Sequence, residues 1–429
     1  MPTIFQQYEY AKLSAAAYVN FSGVAYTDGR LIAEAASTKQ EIIPLALAEQ
    51  MFDKDSVAAR GQSVWTVLGA PYNNDGVGFH AVLFGRGTEK VLAIAGTEPS
   101  VGGQVDLDLV LADVAQIGTY GVAYAQAVSL INYLLCLTAP AGATNVLQLD
   151  LSHRLPPSNE WDPGATGGDP GVTGHYFTIE PRYDGIGLDG IKAGDTITVT
   201  GHSLGGHLAA FARRLFPTLI TEAYTYNAPG FDPATSVKLA DEFVALFTPF
   251  LPGLPKATFG ELNIATFRSD DLAPGNPAVV SSVITGTPPS TPSYITTEQN
   301  SHGIGQIVDS LALQSVFGRM DTGFTDDKVR ALFDAASPDT ANSEERLLEA
   351  LHRLLVGPIG KLTEVKAGSL LSFVSGDGNF AARTSWYDAF IKVEAAIVAR
   401  PSLQLGYLTT LTAAELQTAA SNPDALATR

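Results

Sequence analysis

The feature that most constrains the fold is the pentapeptide Gly201-His202-Ser203-Leu204-Gly205, which joins two stretches of opposite character. Residues 196–200 are mostly β-branched and predict a buried strand, whereas residues 204–216 are rich in alanine and leucine and predict a helix. A serine at such a junction occupies a sharp turn, and the flanking glycines let neighbouring backbone approach without a Cβ in the way. The sequence therefore predicts a strand–turn–helix unit with Ser203 at its tip.

Strands and helices alternate along most of the remaining chain. Helices are predicted at 5–18, 124–137, 304–317 and from about 343, and strands at 63–68, 78–84, 90–95, 223–226 and 262–267. The strands at 78–84 and 90–95 are close enough to form a hairpin. This alternation predicts an α/β fold with a mainly parallel central sheet flanked by helices. We expect one domain over residues 1–318 and a mostly helical C-terminal extension over residues 319–429.

Two segments of the first domain need separate interpretation. Residues 151–190 are rich in Pro, Gly, Asp and Asn and predict a loop-rich insertion. Residues 231–260 include the apolar run 243–252, which is a candidate lid over an apolar substrate. Buried packing of that run against the sheet is an equally good interpretation.

The formal net charge of −18 restricts the partners of the chain. It argues against nucleic acid and anionic membrane surfaces, but not against a neutral ester held by apolar contacts. Residues 115–148 carry no charge, yet the polar spacing within 124–137 favours a core helix over a transmembrane segment. The N-terminus has neither a basic start nor an apolar stretch, so we expect no cleavable N-terminal signal peptide. The acidic composition with a single cysteine fits secretion by another route, but the sequence leaves the location open.

A nucleophilic serine needs a histidine base, which an acid orients. In enzymes with this serine turn the chain order is Ser, then Asp or Glu, then His, which leaves His302 and His352 as candidate bases. His352 falls in a leucine-patterned helix, where we expect it to face solvent. His302 lies in a loop-like stretch before a predicted helix and is the favoured base; an ordinary loop histidine is the alternative.

The acid is sought between Ser203 and His302, at the end of a strand. Asp270 and Asp271 follow the strand at 262–267 directly, and the other acidic residues considered fall in loop or helix-like regions (Asp232, Asp241 and Glu242). Adjacent residues of a strand point to opposite faces, so only one of the pair is expected to face His302. The sequence pattern alone does not decide whether Asp270 or Asp271 is the acid.

The chain resembles the class 3 lipase family of α/β-hydrolases in residues 199–209, 226–230 and 269–274. In that family the triad aspartate stands three residues before a proline, which here selects Asp271 and makes Asp270 the alternative. The resemblance also assigns the backbone N–H groups of Thr97 and Leu204 to the oxyanion hole. It implies a catalytic triad of Ser203, Asp271 and His302, with no metal or cofactor.

The resemblance implies a lipase that hydrolyses long-chain acyl esters such as triacylglycerol, acting transiently at a lipid–water interface. A phospholipase A1 and a polyester or short-chain esterase would use the same triad. A hypothesis of another class is an inactive hydrolase-like binding module of a larger secreted protein. Four further acidic residues are interpreted as solvated groups, with a calcium site as the alternative (Asp106, Asp108, Asp113 and Asp377).

Overall fold

The computed structural model describes residues 2–21, 23–24, 28–36, 43–53, 64–69, 71–74, 78–96, 100–101, 104–105, 117, 122–154, 176–233, 239–251, 259–271, 286–298, 302–320, 324–337, 342–365 and 380–399. The chain forms two compact units. The terminal unit comprises Met1–Thr66, Phe267–Val279 and Ser293–Arg429, and the central unit comprises Val67–Thr266 and Val280–Pro292. The domain boundary predicted at residue 318 falls inside the helix Ile304–Met320, which belongs to the terminal unit.

The described strands are β1 (Thr66–Val67), β2 (Tyr72–Asn74), β3 (Phe79–Arg86), β4 (Glu89–Ile94), β5 (Ser100–Val101), β6 (Gln104–Val105), β7 (Val146–Arg154), β8 (Tyr176–Gly185), β9 (Ile197–His202), β10 (Ile220–Tyr226), β11 (Phe231–Pro233), β12 (Ile264–Asp271), β13 (Gly286–Thr287) and β14 (Ser293–Thr297). The main sheet has the order β1-β3-β4-β9-β10-β12-β14, with β2 paired to β3. Strand β9 runs parallel to β4 and β10, and β12 runs parallel to β14. The expected mainly parallel α/β sheet is confirmed, as is the hairpin of β3 and β4.

The described helices are α1 (Ile4–Ala16), α2 (Gly29–Ala36), α3 (Leu45–Phe52), α4 (Tyr124–Thr138), α5 (Leu204–Leu215), α6 (Leu239–Phe247), α7 (Ile304–Met320), α8 (Asp326–Ala336), α9 (Ser343–Leu355) and α10 (Phe380–Val398). The helices predicted from apolar spacing at the first residues, at 124–137, 204–216 and 304–317, and near 343 are confirmed. Within the described part of the chain, no helix has both the length and the apolar character of a membrane span.

The core of the central unit lies between its strands and the helices α4 and α5. Buried side chains of β3, β4 and β9 pack with Leu130, Ile131 and Leu134 of α4 and with Leu208 and Phe211 of α5. Gly201, at the end of β9, is buried as well. The strand that leads to Ser203 is therefore enclosed by apolar side chains and fixed by a sheet partner on each edge.

In the terminal unit, α1 packs against α7, α2 against α3, and α9 and α10 against each other. Two ion pairs and one amide hydrogen bond connect these helices: Arg383 of α10 binds Asp309 of α7, Arg319 of α7 binds Glu394 of α10, and Gln50 of α3 donates to Glu394 at 3.0 Å. The helical segments beyond residue 318 are therefore packed with α1 and α7 in one unit.

Two predictions about local structure are corrected. The ends of the segment 151–190 are not loop, because residues of β7 and β8 pair in an antiparallel ribbon from Val146–Gly185 to Arg154–Tyr176. The strand predicted at 262–267 does not end there, because β12 continues through Asp270 and Asp271 and pairs with β14. In both cases the paired strands include residues that by themselves disfavour strand structure, among them Pro181 and Gly185 of β8 and the two aspartates of β12.

A third correction concerns His352, which is buried and not solvent-facing. Its Nδ1 lies 3.0 Å from the carbonyl oxygen of Gly357, just beyond the end of α9. In the candidate lid, Phe243 and Phe247 of α6 are buried in the core of the central unit. These two side chains show the buried packing that the sequence left open, and a lid within 231–260 stays a prediction.

Candidate active site

The turn after β9 has the geometry that the sequence predicts for residue 203. All six residues of β9 are buried, and α5 begins at Leu204, so that Ser203 alone separates strand from helix. Its backbone has φ 56° and ψ −128°, in a region that residues with a Cβ rarely occupy. Such a conformation costs on the order of 1–3 kcal/mol and persists only where surrounding structure enforces it.

Backbone hydrogen bonds enforce this conformation. The N–H of Ser203 donates to the carbonyl oxygen of Tyr226 at 2.9 Å, and the carbonyl oxygen of Ser203 accepts from Gly206 at 3.0 Å and His207 at 3.2 Å. The side chain of Ser203, which precedes a helix, makes no capping hydrogen bond to that helix. The half-buried Ser203 therefore does not have the capping role that a serine ordinarily has at a helix start.

Three glycines of the turn have no room for a side chain. A Cβ on Gly201 would meet the carbonyl oxygen of Gly205, and a Cβ on Gly205 would meet the carbonyl oxygen of Ile94. A Cβ on Gly206 would lie 2.7 Å from the Cβ of Ala228. The expected close approach of backbone at Gly201 and Gly205 is confirmed, because the start of α5 lies directly on the ends of β4 and β9.

The first turn of α5 provides N–H groups beside Ser203. The first four N–H groups of a helix have no acceptor within the helix, and the helix dipole favours negative charge at this end. Leu204 is the first residue of α5, and Ile94 at the end of β4 pairs with Gly201. Thr97 follows β4 by three residues and lies outside the described residues.

The candidate acid and base belong to the terminal unit, whereas Ser203 and Leu204 belong to the central unit. Asp271 is the last residue of β12 and pairs with Thr297, the last residue of the parallel strand β14. His302 follows Thr297 by five residues, is half-buried, and stands just before α7. Two adjacent parallel strands therefore end at the candidate acid and at the segment that carries the candidate base. The side chains of Asp270 and Asp271 lie outside the described part.

His207 lies close to the serine turn, and no sequence pattern indicated a role for it. It lies on α5 one turn after Ser203, is fully buried, and stacks on Phe231 with ring centroids 4.1 Å apart. Its Nε2 accepts a hydrogen bond from the N–H of Ala123 at 3.4 Å. Burial lowers the pKa of His207 to about 4, and the backbone of Pro229 and Gly230 opposes only part of this shift. The ring is therefore neutral near pH 7 and serves as an acceptor inside the fold.

A second strained residue adjoins the turn. Asn227, directly after Tyr226 at the end of β10, is buried and has φ 47°. Because β10 is the parallel neighbour of β9, the two chain segments leave the sheet side by side, each through a residue with positive φ. Asparagine tolerates this conformation better than most residues. A Tyr-Asn pair at a strand end was the available sequence signal.

The terminal unit contains a buried group of charges that the sequence pattern did not reveal. Asp309 of α7 is bound by Arg383 and Tyr387 of α10, and Glu344 and Glu345 of α9 are buried as well. Burial, with the charge of Asp309, raises the pKa of Glu344 well above its usual range. Burial raises the pKa of Glu345 to about 7. The charge of Arg383 opposes the raised pKa of Glu344 and the charge of Arg346 opposes that of Glu345, but burial outweighs both effects.

Burial lowers the pKa of Arg383, but the charge of Asp309 and the hydrogen bonds to it outweigh that effect and raise the pKa overall. Helical periodicity marks α9 as amphipathic without showing which of its glutamates lie inside. The signal that could have been used is the adjacent pair Glu344 and Glu345 at the start of a leucine-patterned helix.

No protein-family model matches the chain, and no curated protein matches it. Among the residues that the structure describes, no group of three or more His, Cys, Asp or Glu side chains could hold a metal ion. The four acidic residues considered for calcium lie outside the described ranges (Asp106, Asp108, Asp113 and Asp377). Support for a function therefore comes from the chain itself.

Proposed function

We propose that the chain is a carboxylic-ester hydrolase of the α/β-hydrolase fold with Ser203 as its nucleophile. The observation that carries the proposal is the backbone of Ser203, strained at φ 56° and ψ −128° between a buried strand and a helix whose first turn needs glycine. Strain of this kind is retained at functional sites because it directs a side chain that an ordinary turn would direct elsewhere.

In the proposed reaction, His302 takes the proton from the Ser203 hydroxyl as its oxygen attacks the ester carbonyl carbon. The N–H groups of Thr97 and Leu204 bind the oxygen that becomes negative. The C–O bond then breaks, the alcohol leaves with the proton from His302, and an acyl-enzyme remains. Water, deprotonated by His302, releases the acid in the same way, and Asp271 orients the imidazole and stabilises its charged form.

The choice of Asp271 and His302 is supported by their positions along the chain. Asp271 is the last residue of β12, and His302 follows the end of the adjacent parallel strand β14, whose last residue Thr297 pairs with Asp271. Ligand and catalytic groups of open α/β sheets gather at the carboxyl ends of strands. Asp270 would pair one position earlier, with Thr296, and is the alternative acid.

The substrate that we propose is a neutral long-chain acyl ester such as triacylglycerol. Its support is the resemblance to class 3 lipases together with the net charge of −18, which disfavours the anionic head groups of many phospholipids. Apolar contact would then supply the binding energy. Localisation outside the cell is part of the same proposal.

Hydrolysis of p-nitrophenyl esters of increasing acyl length, and of emulsified triacylglycerol, tests the proposal. Ser203→Ala should lower kcat/KM by about 10⁴-fold or more. The matched control is Ser293→Ala, which removes a half-buried serine at the start of β14. If the shortest esters were hydrolysed fastest, the proposed function would change from lipase to short-chain esterase. Unchanged hydrolysis in Ser203→Ala would overturn the mechanism, and no hydrolysis of any ester would favour the binding module.

A further inference from the structure

The side chain of Asp309 is buried inside the terminal unit and is held by α10. Arg383 donates from Nη2 to Oδ1 at 2.7 Å and from Nε to Oδ2 at 2.9 Å, so the ion pair is bidentate. The hydroxyl of Tyr387 donates to Oδ1 at 2.6 Å. All three side chains are buried, and a planar guanidinium in such a setting fixes the relative position of the two helices that carry the pair.

Arg383 also contacts the first turn of α7. Its Nη2 lies 3.4 Å from the carbonyl oxygen of Gly305, to which it donates. A Cβ on Gly305 would lie 3.3 Å from the guanidinium carbon, so the guanidinium lies against the backbone there. Gly305 is three residues after His302. The guanidinium of α10 therefore supports the helix end from which the candidate base extends.

The other side of the His302 segment is tied to α9. Glu298 follows the last residue of β14 and is buried, and its Oε2 accepts the N–H of Glu344 at 2.8 Å. Glu344 is in the first turn of α9, where N–H groups lack acceptors within the helix. A hydrogen bond from the Ser310 hydroxyl to the carbonyl oxygen of Thr296 joins α7 to β14 directly. His302 thus lies between two anchored points, Glu298 and Gly305.

We propose that Arg383 and Glu298 are positioning residues for His302. Through them, the helices α9 and α10 beyond residue 318 hold the backbone on each side of the catalytic base in place. The inference rests on the proposed function, because it gives His302 the role of base. It assigns a task to the C-terminal extension for which the sequence indicated none. The support acts through the backbone on each side of His302, and neither residue contacts substrate.

Arg383→Lys tests the α10 side. Lysine keeps the positive charge beside Asp309 but loses the planar, bidentate contact and the contact with Gly305. We expect kcat to fall by about 10- to 100-fold with KM nearly unchanged, because small misplacement of a reacting group is costly. Arg346→Lys is the matched control, since Arg346 pairs with Glu349 in the same unit and contacts neither Glu298 nor Gly305 in any described bond.

Glu298→Ala and Glu298→Gln test the hydrogen bond between Glu298 and α9. They leave the ion pair between Asp309 and Arg383 unchanged. Alanine removes the acceptor for the Glu344 N–H, whereas the glutamine side-chain oxygen can still accept it. We expect kcat to fall in Glu298→Ala and most of the loss to be recovered in Glu298→Gln. If Arg383→Lys does not fold, this pair decides the inference alone.

Ser203→Ala, assayed in parallel, separates the two proposals. Loss of activity in Ser203→Ala together with wild-type kcat in Arg383→Lys and Glu298→Ala would overturn the positioning inference and leave the proposed function intact. Equal loss in Arg383→Lys and Arg346→Lys, in proportion to their loss of thermal stability, would also overturn it. Full activity in Ser203→Ala would instead overturn the proposed function.

Discussion

The backbone N–H of Ser203 donates to the carbonyl oxygen of Tyr226 at 2.9 Å, which joins the turn after β9 to the end of its parallel neighbour β10. From the helix side, the N–H groups of Gly206 and His207 bind the Ser203 carbonyl oxygen. Ser203 therefore cannot relax to an ordinary backbone conformation without leaving buried polar groups unpaired. The strain at Ser203 is therefore maintained by hydrogen bonds from both β10 and α5.

The strain at Ser203 should be measurable as stability. Glycine has no Cβ and adopts positive φ without penalty, so Ser203→Gly should be more stable than Ser203→Ala by about 1 kcal/mol or more. Urea unfolding of both variants measures the difference. Both should lack the nucleophile, so that activity is lost even where stability is gained. Equal stability of the two variants would contradict a strained position 203.

Gly205→Ala should destabilise the protein strongly. The new Cβ would meet the carbonyl oxygens of Ile94 and Ala95, which are backbone atoms and cannot move aside. Overpacking of this kind costs typically about 1–3 kcal/mol, and we expect the upper end or more. Gly360→Ala is the matched control, because a Cβ there meets nothing within 4 Å. Similar urea midpoints for the two variants would contradict the close contact between α5 and β4.

His207 should make the protein sensitive to acid. Its pKa is lowered to about 4 in the folded chain, so between pH 6.5 and 4 the unfolded chain binds a proton that the folded chain does not. Stability therefore falls as pH decreases through this window, by up to about 1.4 kcal/mol per pH unit. His207→Phe keeps an aromatic ring to stack on Phe231 and should flatten this part of the stability curve. Parallel curves for the variant and the wild type would refute a neutral His207.

Glu345 should have the opposite effect. Its pKa is raised to about 7, so between pH 4.5 and 7 the folded chain holds a proton that the unfolded chain has released. Stability then falls as pH rises through that window, by up to about 1.4 kcal/mol per pH unit. Glu345→Gln, whose side-chain oxygen can still accept the N–H of Val365, should lessen this fall.

Glu364→Gln makes the same chemical change at a half-buried carboxyl and serves as the control for Glu345→Gln. Denaturant unfolding at several pH values between 4.5 and 8 compares the two variants. If Glu345→Gln and Glu364→Gln show the same pH dependence as the wild type, Glu345 does not retain its proton in the folded protein.

The turn at Ser203 could be predicted because its determinants are local. A β-branched run, a Gly-x-Ser-x-Gly pentapeptide and an alanine-rich run each favour the same strand–turn–helix, and apolar spacing gives α4, α5, α7 and α9. The alternation of these elements was enough for a mainly parallel α/β sheet. Local pattern and tertiary structure agree here, so the expectation needed no knowledge of long-range contacts.

The parts that could not be predicted depend on contacts between distant residues. Pro-, Gly- and Asp-containing sequence disfavours strands, yet β7 and β8 pair with each other, and β12 runs through Asp270 and Asp271 beside β14. The burial of His352 likewise depends on the tertiary packing of α9, which helical spacing does not specify. Asp309 and Arg383 are 74 residues apart in sequence, and no local sequence pattern predicts their ion pair.

Covalent labelling with an alkyl fluorophosphonate shows directly whether Ser203 is the nucleophile. These reagents phosphonylate serines that an active base has made nucleophilic, so the reaction reports the nucleophile without assuming an ester substrate. We expect a single adduct on Ser203, located by peptide mass spectrometry. Ester hydrolysis should be lost in proportion to labelling, and Ser203→Ala should carry no adduct. An unlabelled Ser203 in folded protein that hydrolyses esters, or an adduct on another serine, would contradict this role of Ser203.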